Sequence, residues 1–459
     1  MMEFENRTGI AVTSGETVSL DAGAAAVEAL ADYHDEPGWM REKRRIAWQM
    51  YEKMEWPHSK EEAWRRLPLQ RYPLKDRCIT LTPYRVQSLE ELPPCWQSPL
   101  VPEPMVDGIL VHQNGAEAYA ALAPRDEAQG VVLMDLHRAL QTHEELIREH
   151  WMSSTIARPD FNKFTALHAA LWHGGTFVYV PAGVRVVRPL QSLVGYDHRG
   201  GMGLHHTLIV VEKGARVTLL QDRISQERAP ELNAEVVEIY AGEGAWVRYA
   251  SLQHWGSQRY TVSVQNATLD RDAHLLWAGG ALGGAVTKEF LRTDLLAPGA
   301  RGLMQGFTFA KHRQQIDQSA YQHHRAHDTY SDLLFRNVLK DQARTVFYGM
   351  IRVEPEAQQT QGYQANNNLL LDHVNGKKPR ANSIPGLEIL ANEVSCSHGA
   401  TVSRIDEEEL FYLQSRAIAR PQAEELIVRG FLRPIVEQFP LACVRDQVDE
   451  ELAHRFESK

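Results

Sequence analysis

Cys396 and His398 stand two residues apart in Cys396-Ser397-His398-Gly399-Ala400-Thr401, where strand-like patterning gives way to a helical tail. In an extended chain, side chains at i and i+2 share a face, so this thiol and imidazole can address one metal, one sulfur atom or one partner surface. A nearby imidazolium favours thiolate, and neutral imidazole is itself a ligand for iron or zinc. The alternative is a small buried Cys396 and a His398 hydrogen-bonded to a loop carbonyl. The densest imidazole cluster is His323, His324 and His327. On a helix, His323 and His327 would share a face and offer a metal two ligands; between strands, the three read as hydrogen-bonded or surface histidines. Asp317, Asp328 and Asp332 are candidate acids for polyuronide or glycoside cleavage, which needs two carboxyl groups about 5 to 9.5 Å apart.

Other chemistries lack their signatures. The glycine-rich run Gly279-Gly280-Ala281-Leu282-Gly283-Gly284 has neither GxGxxG spacing nor a Walker lysine, and no GxSxG or HExxH occurs. The four cysteines, Cys78, Cys95, Cys396 and Cys443, form no CxxC pair, so neither a disulfide framework nor a self-contained structural zinc is expected. A formal charge of −10, with no Lys/Arg-rich run, argues against a nucleic-acid partner. No apolar stretch reaches the roughly 18 residues of a membrane span, and the acidic start lacks a signal peptide's basic and apolar segments. A cytoplasmic protein without a membrane partner is expected.

The elements that must position these residues fall into three regions. Residues 1–170 read as mostly helical with some strands: Ala24 to Leu30 and Trp39 to Met54 have helical composition and spacing, while Gly108 to Val111 and Val131 to Met134 are strand-like. Residues 171–385 read as short strands rich in Val, Ile, Leu, Thr and Tyr, such as Thr176 to Val180 and Ala234 to Tyr240. Within them a turn residue or polar pair repeatedly precedes an alanine that opens a strand, at Ala215, Ala245, Ala273, Ala300 and Ala343. Their spacings of 30, 28, 27 and 43 residues suit coils of a β-solenoid, in which a small residue fits each tight corner. A sandwich is the second choice, because Asn375-Gly376 is a single hairpin signal within these residues where several would be needed. Residues 386–459 read as a helical tail. Asp406 and Glu409 resemble a capping box, Arg420-Pro421 opens a further helix, and Ala423, Leu426, Ile427 and Phe431 form an apolar stripe. On pattern alone such a stripe packs against its own domain.

Several motifs together resemble the SufB/SufD family of the SUF iron–sulfur cluster assembly system, with the SufD type as the nearest match. They are His173-Gly174-Gly175-Thr176-Phe177-Val178-Tyr179-Val180-Pro181, Thr345-Val346-Phe347-Tyr348-Gly349-Met350-Ile351-Arg352-Val353, Cys396-Ser397-His398-Gly399-Ala400-Thr401, and Leu410-Phe411-Tyr412-Leu413-Gln414-Ser415-Arg416. The resemblance implies a mainly β chain, a right-handed parallel β-helix core between helical terminal regions. It implies a non-enzymatic scaffold subunit that pairs with a SufB-like paralogue, or with a second copy of itself, and binds a SufC-like ABC ATPase. His398 is then the candidate metal or cluster ligand, and Cys396 a second candidate from the same motif. Leu410, Phe411, Leu413, Leu426, Ile427 and Phe431 fall in the region that docks the ATPase. The implied cofactor is a transient iron–sulfur cluster at the subunit interface, with none held tightly by this chain alone. Two departures stand out. No cysteine lies between Cys95 and Cys396, where SufB-type members carry a sulfur-accepting residue, and Ala417 replaces the usual glycine after Ser415-Arg416. The alanine suggests a turn that avoids positive φ. A solenoid carbohydrate-active enzyme and a SufB-like homodimeric scaffold are the alternative readings.

Overall fold

The structure is a computed structural model that describes residues 17–457 apart from 74, 82–84, 198–200, 227–229 and 372–377; the Asn375-Gly376 turn lies outside the described residues. Two ten-stranded sheets face each other, and successive strands from residue 206 onward alternate between them. Every pairing among these strands is parallel, and the whole makes a parallel β-solenoid of about seven turns. Antiparallel strands Ala116–Leu122 and Val132–Asp135 lie at the starting ends of the sheets. The last six strands, which carry the candidate residues, are β1 (Gln315–His324), β2 (Tyr330–Leu339), β3 (Arg344–Val353), β4 (Gln361–Leu370), β5 (Arg380–Ile389) and β6 (Ser395–Arg404).

The corners explain the alanine repeat. Ala215, Ala245, Ala273 and Ala300 are fully buried, each directly before a strand of the first sheet. The residue before each of them, Gly214, Gly244, Asp272 and Gly299, has φ between 53° and 77°. The chain thus turns through a left-handed residue, for which glycine and aspartate are the favoured types, and a small side chain then enters the corner. Ala343 breaks the period because it opens β3, in the other sheet. The next two occupants of the original corner are Thr329 and Thr360, whose hydroxyls hydrogen-bond each other at 2.9 Å. Asp328 and Gln359 precede them at φ 56° and 60°.

The terminal regions cap one end and one side of this core. Helix α1 (Ala24–Tyr33) and α2 (Gly38–Lys53) pack over α3 (Leu136–Thr142) and α4 (Lys163–Leu171). Helix α4 is buried on every side, and its first turn is satisfied by a capping box between Asn162 and Thr165. A buried ion pair ties the layer together. Arg44 donates to both carboxylate oxygens of Glu36 at 2.6 and 2.5 Å, and to the Ala170 and Trp172 carbonyls at the end of α4. Its guanidinium also lies over the Trp172 ring, 4.9 Å from the centroid.

The expected boundary at residue 385 is corrected by the structure. Strand pairing continues through β6 to Arg404, and helices begin only at α5 (Glu407–Ser415), followed by α6 (Arg420–Val436) and α7 (Ala442–Glu457). The exposed, polar composition of β6 disguised a strand, because it is covered on one flank only. The first boundary shifts too, since Gly108–Gln113 already pairs with Leu190–Tyr196 in the solenoid sheet. The turn at Ala417 is a further correction: its φ is 64°, in the left-handed region that the alanine was expected to avoid.

Candidate functional site

Among the described residues, nothing caps the last coil of the solenoid. Strands β5 and β6 are the outer strands of the two sheets, so each presents one row of backbone donors and acceptors without a strand partner. In the parallel register, Cys396 lies beside Gly362, His398 beside Gln364, Ala400 beside Asn366 and Val402 beside Asn368. Those four β4 residues are buried and face the interior of the solenoid. Cys396 and His398 therefore share the inward face, as their spacing predicts, and extend an interior row out to the open end.

The two differ in environment. Cys396 is half-buried and packs against the buried cluster of Ile351, Val353, Ala357 and Ala391. A β-carbon added at Gly362 would lie 3.3 Å from its sulfur, so the glycine leaves the thiol its space. Burial pushes the Cys396 thiol up from its ordinary value, so in the isolated chain it is a protonated sulfhydryl at neutral pH. His398 is exposed. Among the described residues, no further His, Cys, Asp or Glu joins them in a group close enough to enclose a metal. Towards Ala400 and Val402 a recess of about 380 Å³ opens between β6 and β5, lined also by Ala381, Ser383 and Arg66.

Behind this end stand the helices of the tail. Asp406 caps α5 by accepting from the Glu408 amide at 2.8 Å, and three glutamates fill the first turn, where the helix dipole favours anions. Leu410 is buried and Leu413 half-buried, whereas Phe411 and Tyr412 are 73% and 58% exposed. On α6, Ala423, Val428, Leu432 and Ile435 turn inward against the core, Ile427 is half-buried, and Leu426 is 50% exposed. Phe431 is half-buried beneath the Arg336 guanidinium. The apolar stripe thus divides, with one part packing on the chain itself and the other facing outward.

Two family models match this chain. One, the SUF system FeS cluster assembly SufBD core domain, covers residues 195–431, and the other, the SufBD protein N-terminal region, covers residues 28–192. The chain belongs to the SufBD family. Among curated SufBD relatives, it is 31% identical over 335 residues to an iron-sulfur cluster assembly protein SufB of Bacillus subtilis (strain 168), covering 73% of this chain and 71% of that one. It is 30% identical, with the same coverage, to an iron-sulfur cluster assembly SufBD family protein of Staphylococcus epidermidis. The family works in SUF-system iron–sulfur assembly, and the core model includes both Cys396 and His398.

The other candidate residues in this SufBD chain are held apart. His323 bonds Glu354 at 2.7 Å and Asp294 at 3.2 Å, beside Arg292, on the outer face of β1. His324 points to the interior and bonds Thr329 and Ser331, while His327 pairs with Asp328 in the turn. A strand sends neighbouring side chains to opposite faces, so these histidines make no common site. The acids separate for the same reason. Asp317 lies on the outer face of β1, bonded to Lys288 Nζ at 2.5 Å, and Asp332 on the outer face of β2 in the opposite sheet. Asp328 sits in the left-handed corner. No pair of them is arranged for glycosidic-bond cleavage.

Charged residues inside the coils gave no sequence signal. Arg223 bonds Gln221 and Tyr249 at 2.8 and 2.9 Å and lies 3.3 Å from Glu235, whose pKa burial raises to about 7. Within a strand they read as ordinary outward polar residues. Only the register shows that they face inward, around a cavity of about 30 Å³, which has room for about one water molecule. No helix among the described residues is long and apolar enough to cross a membrane.

Proposed function

We propose that this SufBD chain is a non-catalytic, SufD-like scaffold subunit that joins a SufB-like paralogue through its open end. In this reading β5 and β6 meet the corresponding edge strands of the partner, and a transient iron–sulfur cluster forms at the join. The observation that carries it is the uncapped last coil, which brings Cys396 and His398 to a surface made of two unpaired sheet edges. Edge strands of this kind are satisfied by pairing with another chain. His398 is the ligand or assembly residue, being exposed and a good donor to iron when neutral. Cys396 is the secondary candidate, because it becomes a thiolate only when a metal or cation approaches.

The SufD-like assignment rests on the missing cysteines between Cys95 and Cys396, which leave this chain without a sulfur acceptor of its own in the core. The SufC-like ATPase docks on the outward residues of α5 and α6, with Phe411, Tyr412 and Leu426 as its main contacts and Leu413 and Ile427 beside them. Leu410 and Phe431 support those helices from beneath. The assembly is cytoplasmic and needs neither nucleic acid nor membrane.

The test is co-expression with a SufB-like paralogue and the ATPase. His398→Ala is expected to leave the complex intact by gel filtration but to lower anaerobic cluster yield on it several-fold. An unchanged yield overturns the role of His398. A stable dimer of this chain alone that builds clusters unaided overturns the SufD-like assignment in favour of a homodimeric scaffold.

A further inference from the structure

At the far end of the solenoid from β6, three histidines meet that are distant in sequence. His34 ends α1, His137 lies in the first turn of α3, and His173 follows α4. One ring nitrogen from each lies within 4.8 Å of the other two. His34 Nε2 and His173 Nδ1 share a hydrogen bond of 2.9 Å, and the Trp172, His137 and His34 rings form a parallel stack with centroid spacings of 4.0 and 3.4 Å. His137 and His173 are buried, and His34 is half-buried at a helix end. The buried His173 Nε2 has no hydrogen-bond partner, and His137 Nδ1 has only Glu36 Oε1 near it, at 3.5 Å. Structural histidines ordinarily satisfy both ring nitrogens when buried.

We propose that His34, His137 and His173 form a binding site for one divalent first-row transition-metal ion, separate from the cluster interface. Three imidazoles without a thiolate suit the borderline ions Zn²⁺, Fe²⁺ and Co²⁺, and exclude Mg²⁺ and Ca²⁺, which require oxygen ligands. The surroundings supply the outer support such a site needs. Glu36 Oε1 faces His137 Nδ1 at 3.5 Å, which favours the proton on that nitrogen and leaves the lone pair on Nε2, where it now accepts a long 3.3 Å bond from the Gly174 amide that an ion would displace. The result is a carboxylate–histidine–metal relay, with Glu36 held in turn by Arg44.

Metal–nitrogen bonds of about 2.0 to 2.1 Å place tetrahedral ligand atoms about 3.4 Å apart. The His34–His173 pair, at 2.9 Å, therefore needs to open by only a few tenths of an ångström. The stack is the larger obstacle, because the in-plane lone pairs of two parallel rings cannot meet at one ion. Binding accordingly requires His34, the least buried of the three, to tilt out of the stack, and its vacated side is the route by which the ion enters.

The experiment is anaerobic titration of the full chain, as a Cys396→Ala/His398→Ala double variant, with Co²⁺ and then Zn²⁺ or Fe²⁺. The expected result is one equivalent of tetrahedral or five-coordinate Co²⁺, seen by its visible absorption, displaced by Zn²⁺. His34→Ala should weaken binding at least tenfold while circular dichroism stays unchanged. X-ray absorption of the Zn²⁺ form of the chain with His34 to His173 intact gives a second readout, which does not depend on the folding of any variant in this layer. Three imidazole nitrogens support the site, and oxygen or sulfur ligation without them overturns it. Failure to bind any of these ions at micromolar concentration, or full binding by a folded His34→Ala/His137→Phe variant, likewise overturns it. Loss of cluster assembly with His398→Ala has no bearing on this titration, so the two proposals fail separately.

Discussion

Replacing Glu36 by glutamine strands the Arg44 guanidinium in the N-terminal layer, and the size of the effect follows from the geometry. Both side chains are 0% exposed, and the carboxylate accepts two charge-assisted bonds at 2.6 and 2.5 Å. Removing one partner of a buried pair of this kind costs about 3 to 5 kcal/mol, because the remaining charge is left without compensation. Arg44 keeps its bonds to the Ala170 and Trp172 carbonyls, both at 3.0 Å, which orient it but do not neutralise it. Adding Arg44→Met removes the stranded charge and leaves two carbonyls unbonded, a loss of about 1 to 3 kcal/mol each at most. Each single variant leaves one buried charge unpaired while the double leaves none, so the double should lose less than the two single losses added together. The assay is urea unfolding combined with hydrogen exchange of the α1 and α2 amides, since a chain of this length need not unfold in one step. Single-variant losses that simply add in the double variant refute the reasoning. Acid titration gives a second arm. Burial raises the Glu36 pKa, but Arg44 and then His137 more than offset it and hold the group at about 2 against an ordinary 4.5. A depressed carboxylate contributes stability that is complete above its unfolded value and lost as pH falls from about 4.5 towards 2, about 3 kcal/mol here. Glu36→Gln should abolish that part of the acid dependence.

Ala417→Gly should stabilise the chain by about 0.5 to 1 kcal/mol, because alanine occupies a left-handed turn residue there; thermal unfolding that is unchanged or earlier contradicts this. Phe411→Asp together with Leu426→Asp should leave the melting temperature nearly unchanged and abolish capture of a SufC-like ATPase, because both side chains are largely solvent-exposed in the isolated chain. Retained capture in a pull-down moves the ATPase contact elsewhere.

Much of the fold was legible because its signals are local. A left-handed turn residue followed by alanine marks a solenoid corner, since the backbone conformation and the available space both depend on adjacent residues. The longer step to Ala343 looked irregular because that corner opens a strand of the second sheet, and which sheet a strand joins depends on residues a full coil away. β6 was hidden in what read as the tail for a similar reason. Its strand character comes from pairing with β4, while an exposed edge imposes no apolar alternation of its own.

By itself the sequence determined the shared face of Cys396 and His398, the helical tail, and membership of an iron–sulfur assembly family through contiguous motifs. These depend on backbone periodicity and on short-range spacing, which the order of residues encodes directly. Tertiary structure alone decided that this face opens at an uncapped end, and that Asp317 and Asp332 point away from each other on opposite sheets. It also brought His34, His137 and His173 together across 139 residues of chain. Only the packing of α1, α3 and α4 sets those separations, and no local pattern records them.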